Sequence, residues 1–188
     1  MAGGMENDPA GIRGPAPHGI APADGVSVVR ATSVSRRGRR CRLPVTQDDW
    51  LSWRTPLTEP WGPVEMRHAE FCIDLVVTIR TAHCNARGFA HGGFVCAMAD
   101  MAMGLTSLLL ARRKHGDSTT GVTASLSIDF VDAAQVGEIV EFRPTVLKVG
   151  GALTFADCRV VAGGRLIARA SGSFRMFPSI RHRDDVPQ

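Results

Sequence analysis

Between Phe71 and Arg80 apolar and polar side chains alternate, with Phe71, Ile73, Leu75, Val77 and Ile79 on one side and Cys72, Asp74, Val76, Thr78 and Arg80 on the other. A period of two over this length predicts a half-buried strand. The alternation gives way at His91-Gly92-Gly93 to an apolar run from Phe94 to Leu110, closed by Arg112-Arg113-Lys114 and Gly116. Cations in a last turn followed by glycine are helix-ending signals, so the run predicts one long helix. Downstream the period of two returns. Ala124, Leu126, Ile128 and Phe130 alternate with Ser125, Ser127 and Asp129, and further strands are expected over 139–148, 153–161 and 166–177. Gly150-Gly151 and Gly163-Gly164 divide the last three as paired-glycine hairpin turns, which makes them an antiparallel meander. Upstream, 63–67 is expected as a short strand. Asp48 or Asp49 is placed to cap a short helix through Trp50, Leu51 and Trp53, docked by Trp50, Trp53 and Trp61, which Pro56 and Pro60 then interrupt.

Five or six strands with one helix large enough to cover them is an α+β arrangement. The helix is apolar on nearly every side, so the sheet must curl around it or leave part of it wet. A curled open sheet still has edges, and pairing across one of them to form a dimer hides it.

Composition adjusts this picture at the ends. The chain has 188 residues, 44% of them apolar and 21% charged, which suits one globular domain. Met1 to Pro44 holds seven glycines, five prolines, no aromatic residue and seven arginines against Glu6, Asp8 and Asp24. Residues 1–44 are therefore expected to be a disordered basic tail, 45–178 a single domain and 179–188 a polar C-terminal tail. Outside the first tail the chain carries fifteen charges of each sign, so the formal net charge of +4 belongs to the tail and a nucleic-acid surface is not expected on the domain. The arginines at 36, 37, 39 and 40 read as solvated. Cys41, Cys72, Cys84, Cys96 and Cys158 form neither a CxxC pair nor a Cys/His ligand set, so no metal site or disulfide framework is expected, and free thiols fit the cytoplasm. The N-terminus lacks the apolar stretch of a signal peptide. Asp100 sits near the middle of the long apolar run, which makes it a protein-buried helix rather than a membrane span.

The chemistry concentrates in Asn85-Ala86-Arg87-Gly88-Phe89-Ala90-His91-Gly92-Gly93 and in Asp100. The first amides of a helix lack intrahelical acceptors and carry the positive end of its dipole, so Gly92 offers a donor to a developing oxyanion. Asn85 can add a side-chain amide that orients a carbonyl or a water, Gly88 supplies the bend, and Gly93 lets a substrate approach the backbone. His91 reads first as a cap or brace before the helix and second as an acid or base. Asp100, on an apolar helix, needs a partner or a task; it can attack a carbonyl or serve as base for water. Gly92 and Asp100 are eight residues apart, about 12 Å along one helix, so one carbonyl cannot touch both. No G-x-S-x-G elbow, G-x-G-x-x-G loop or P-loop is present, which leaves serine-hydrolase and nucleotide-binding readings without support.

The spacing N-x-x-G-x-x-H-G-G-x6-D, with Ser127 to Ala134, Gly137-Glu138, Val146 to Phe155 and Leu166 to Phe174, resembles the hotdog-fold acyl-CoA thioesterases of the phenylacetate-pathway and 4-hydroxybenzoyl-CoA type over about residues 60–177. The resemblance implies a hotdog fold, in which a curved antiparallel sheet wraps one long central helix, in a homodimer that pairs into a homotetramer. It implies hydrolysis of an acyl- or aryl-CoA thioester at the dimer interface, with Gly92 of one subunit facing Asp100 of the other. It also gives Thr123 the place of a hydroxyl that helps hold the water. Coenzyme A enters as part of the substrate, with no resident cofactor, nucleic acid or membrane partner. Two alternatives accompany this reading. One is a hotdog hydratase or dehydratase, whose catalytic histidine His91 fits poorly; the other is a non-catalytic acyl-CoA-binding regulator, for which Met1 to Pro44 offers no helix-turn-helix pattern.

Overall fold

The computed structural model describes residues 50–179; the expectations for 1–44, for Asp48 and Asp49 and for 180–188 lie outside the described residues. In chain order the strands are β1 (Trp50–Trp53), β2 (Val64–His68) and β3 (Ile73–Thr78), followed by helix α1 (Gly92–His115) and then β4 (Thr119–Phe130), β5 (Ile139–Val149), β6 (Leu153–Ala162) and β7 (Arg165–Pro178). All seven strands form one antiparallel sheet, in the order β1-β2-β3-β5-β6-β7-β4, and α1 packs against it. This is the expected α+β arrangement with one strand more than the alternation predicts.

The additional strand replaces the short helix expected through Trp50, Leu51 and Trp53. Those residues pair antiparallel with Val64 to Arg67 instead. Four residues ahead of Pro56 cannot offset the cost of nucleating a helix, whereas the open edge of β2 satisfies their backbone groups and aromatic residues favour strands.

Alternate residues of the central strands meet the helix, as the period of two requires. Leu75, Val77, Val140, Phe142, Val160 and Ala170 are buried with Phe94, Met98, Ala99, Ala102 and Met103 of α1. Among the described residues α1 is the helix long and apolar enough to cross a membrane, and here it is the core helix of the sheet. Thr106 pins it by accepting from the Ile73 amide at 2.9 Å. Its basic end bonds carbonyls: Arg112 Nε reaches Thr119 O at 2.9 Å, Lys114 Nζ reaches Val149 O at 2.6 Å and His115 Nε2 lies 2.8 Å from Gly150 O. Gly163 and Gly164 have positive φ, as a tight hairpin needs, while a side chain on Gly150 would collide with Leu153 O at 2.6 Å. On the face away from α1, Arg67 bonds the buried carboxylate of Asp74.

β4 departs most from expectation. Among the described residues it is an edge strand paired only with β7, and its ladder skips a residue between Thr123 and Ser125. Thr123, Leu126, Ile128 and Phe130 lie opposite Phe174, Gly172, Ala170 and Ala168, alternate positions of β7 that share one face. The bulge at Ala124 therefore puts Thr123 on the same side as Leu126, Ile128 and Phe130, which uninterrupted alternation forbids. These side chains are not sealed within the chain: Leu126 is 36% and Phe130 50% exposed, and Val122 on the opposite face is 54% exposed. Ala97, Met101, Gly104, Leu105 and Leu108 of α1 are likewise only half-buried.

Candidate active site

The segment before α1 is a small closed loop. Asn85 N donates to Phe89 O at 2.8 Å, Gly88 N donates to Asn85 O at 3.0 Å, and Gly88 turns the chain with φ near +79°. Asn85 Oδ1 accepts from the amides of Arg87 at 2.9 Å and Phe89 at 3.3 Å, which commits the oxygen to the turn and leaves the side-chain NH2 to donate elsewhere. His91 is the N-cap of α1: its Nδ1 accepts from Gly93 N at 2.9 Å, and a side chain on Gly93 would crowd that nitrogen at 3.1 Å. The Gly92 amide has no acceptor among the described residues. A Cβ at Gly92 would stand 3.3 Å from Phe130, so glycine keeps the approach to this amide open.

Asn85 and Gly92 share a depression of about 430 Å³ that Arg87, Val95, Phe130 and Asp132 also line. Asp132 accepts from Ala133 N at 2.8 Å and bonds Arg165, contacts that hold its carboxyl below the usual carboxylate range and occupy it as a potential base.

Asp100 and Thr123 meet elsewhere. Thr123 Oγ1 donates to Asp100 Oδ1 at 2.8 Å, and both line a second depression of about 250 Å³ with Met101, Gly104, Leu108 and Phe174. The structure thus brings the sequence candidates together in two groups. One is Asn85, Gly88, His91, Gly92 and Gly93 at the helix start; the other is Asp100 and Thr123 two turns on. Within one chain the free amide of Gly92 and the carboxylate of Asp100 open into different depressions.

Three lining residues escape sequence reasoning. Arg87 and Asp132 fall inside the quoted stretches but receive no role there, and Phe130 is visible only as an apolar strand position. His83, beside the motif, carries no signal in the sequence either, although it is fully buried.

The model of the thioesterase superfamily matches residues 87–168, the stretch from this loop to β7. A Pseudomonas aeruginosa protein provisionally named an esterase is 34% identical over 123 residues, covering 65% of this chain and 89% of its own. The chain belongs to the thioesterase superfamily. Another relative, human acyl-coenzyme A thioesterase 13, is 30% identical over 93 residues, 48% of this chain and 63% of that one. Among solved structures, a substitution variant of the phenylacetic acid degradation protein of Thermus thermophilus superposes with a TM-score of 0.56 at 26% identity, over 64% of this chain and 98% of that one. The sheet and its central helix are therefore the hotdog fold of this superfamily, here with seven strands.

Proposed function

We propose that the protein hydrolyses the thioester of an acyl- or aryl-coenzyme A at a site completed by two copies of the chain. The observation that carries this reading is the division of the polar groups between two depressions. A donor pair without a base and a carboxylate without a donor pair make one site when the helices of two subunits run side by side. The half-buried strip of α1 and the open edge of β4, apolar at Leu126 and Phe130, are the surfaces such a partner would cover. Pairing of dimers into a tetramer belongs to the same reading, as does a cytoplasmic location.

In this arrangement the Gly92 amide and the Asn85 side-chain NH2 donate to the thioester oxygen as it gains negative charge. Asp100 of the other subunit then works in one of two ways. As nucleophile it bonds to the carbonyl carbon, expels the coenzyme A thiolate and leaves a mixed anhydride that water opens. As base it takes a proton from water, whose hydroxide adds to the carbon before the thiolate leaves. Thr123 fixes the carboxylate in either case. Water is consumed, and a carboxylic acid and a thiol are released, with no metal or redox group required. The relative named for acyl-coenzyme A supports this choice of thioester.

Release of free thiol from short, medium, long-chain and aryl acyl-coenzyme A, compared between wild type and Asp100→Asn, tests the reading. Hydrolysis by wild type that is lost in a folded Asp100→Asn supports it; a wild type that releases no thiol from any of them refutes it. Label found on Asp100 after a single turnover in 18O-labelled water identifies it as the nucleophile, because a general base keeps its own oxygens.

A further inference from the structure

One buried titratable side chain has no part in this chemistry. His83 is 1% exposed and ends a 3-10 turn (Thr81–His83) just ahead of the Asn85 loop. Its Nε2 lies 2.6 Å from the Trp61 carbonyl oxygen and its Nδ1 lies 3.1 Å from the Arg80 backbone nitrogen. A carbonyl must receive a proton and an amide N–H must receive a lone pair, so only the neutral ring protonated at Nε2 satisfies both. The ring lies flat on Phe94 in the first turn of α1, with centroids 4.4 Å apart and planes at 5°. The His83 carbonyl accepts from His91 N at 2.8 Å, and His91 in turn caps the helix through Gly93. The ring therefore fixes the base of the loop bearing Asn85 and the helical turn bearing Gly92, against a carbonyl 22 residues back in the chain.

We propose that His83 is the positioning residue of the donor half of the site, holding Asn85 and Gly92 in one geometry as a neutral imidazole and releasing them when it takes a second proton. The catalytic consequence rests on the thioesterase reading above. A proton on Nδ1 would point at the Arg80 N–H, setting donor against donor and breaking that bond. The charged group facing the ring is Arg80, whose guanidinium donates to the same Trp61 carbonyl at 2.9 Å; α1 presents Phe94, and the 59–61 turn presents Trp61. Burial is the largest influence on the ring and lowers its pKa; the Trp61 carbonyl pulls the other way, and Arg80 adds to the lowering. The brace thus holds at neutral pH and fails as pH falls below the ordinary histidine value.

The test compares wild type, His83→Phe and His83→Asn. Phenylalanine keeps the stacking and loses both hydrogen bonds, while the asparagine oxygen can still accept from Arg80 N. In thiol release, His83→Phe is expected to lower kcat about tenfold or more with a smaller change in KM, as a misplaced donor does. His83→Asn is expected to recover part of that loss and to shift the acid limb of the kcat profile to lower pH. An unchanged kcat in His83→Phe, or the same acid limb in His83→Asn and wild type, overturns the proposal. Hydrogen exchange of the Gly93 amide, followed by NMR in the full chain, needs no turnover. Faster exchange in the variants supports the brace and equal exchange overturns it, even if wild type cleaves no thioester and the hydrolase reading falls. Should His83→Phe fail to fold, His83→Asn decides both measurements.

Discussion

Thr123 and Asp100 meet across the gap between β4 and α1, the threonine hydroxyl donating to Oδ1 over 2.8 Å. A bond to a charged acceptor is worth about 1.5–3 kcal/mol, and here it holds the carboxylate in one rotamer. Thr123→Val is expected to lower kcat/KM for thioester hydrolysis by about tenfold to a hundredfold, while Thr123→Ser keeps most of it. Equal activity in Thr123→Val would mean that the carboxylate needs no such anchor.

Asp100→Ala and Gly92→Val chains should each be inactive alone and active together. A 1:1 mixture that has exchanged subunits forms heterodimers in which one site has both the glycine amide and the carboxylate, so about a quarter of the sites are whole. No recovery after exchange verified by mass spectrometry would place the two groups in separate functions.

Leu126→Asp puts a charge on the exposed apolar side of the β4 edge. The variant is expected to sediment as a monomer and to lose thioester hydrolysis by about a hundredfold or more, because the donors and the carboxylate are then on separate molecules. A monomer with full activity would show that one chain suffices.

Arg67→Met takes from the buried Asp74 carboxyl the guanidinium that donates to it. The substitution is expected to destabilise the domain by about 3–5 kcal/mol at neutral pH, and Asp74→Leu beside it to restore most of the loss, as read by chemical denaturation. Burial lifts the Asp74 carboxyl above its ordinary value of 3.8 despite the pull of Arg67, so the folded chain holds this proton more tightly than the unfolded one. The contribution of Asp74 is therefore complete below 3.8 and is lost as pH rises through the lifted value. The stability difference between wild type and the double variant should move against wild type over that interval.

What the sequence makes legible here is what depends on local pattern. The alternation from Phe71 to Arg80, the glycine pairs at 150–151 and 163–164, and the basic end of α1 each have a cause within a few residues, and each is found where the pattern puts it. The separation of Gly92 from Asp100 follows from helical rise alone. β1 is not legible in this way, because its strand conformation depends on pairing with β2, more than ten residues away along the chain. The bulge is hidden because Ala124 falls in step with Leu126, Ile128 and Phe130 along the sequence, so nothing in the alternation marks it as the unpaired residue. The role of His83 is hidden too, because its ring bonds the carbonyl of Trp61, a contact that no spacing encodes.

The skipped residue at Ala124 gives β4 two halves indexed to different clients. One half aims a hydroxyl at a carboxylate, and the other aims Leu126, Ile128 and Phe130 at an apolar boundary. If Ala124 were instead paired in an unbroken ladder, Thr123 and Leu126 would fall on opposite faces and only one of these clients could be served. The irregularity is thus a phase offset that absorbs one residue, and drawing Ala124 into regular pairing would be the damaging change.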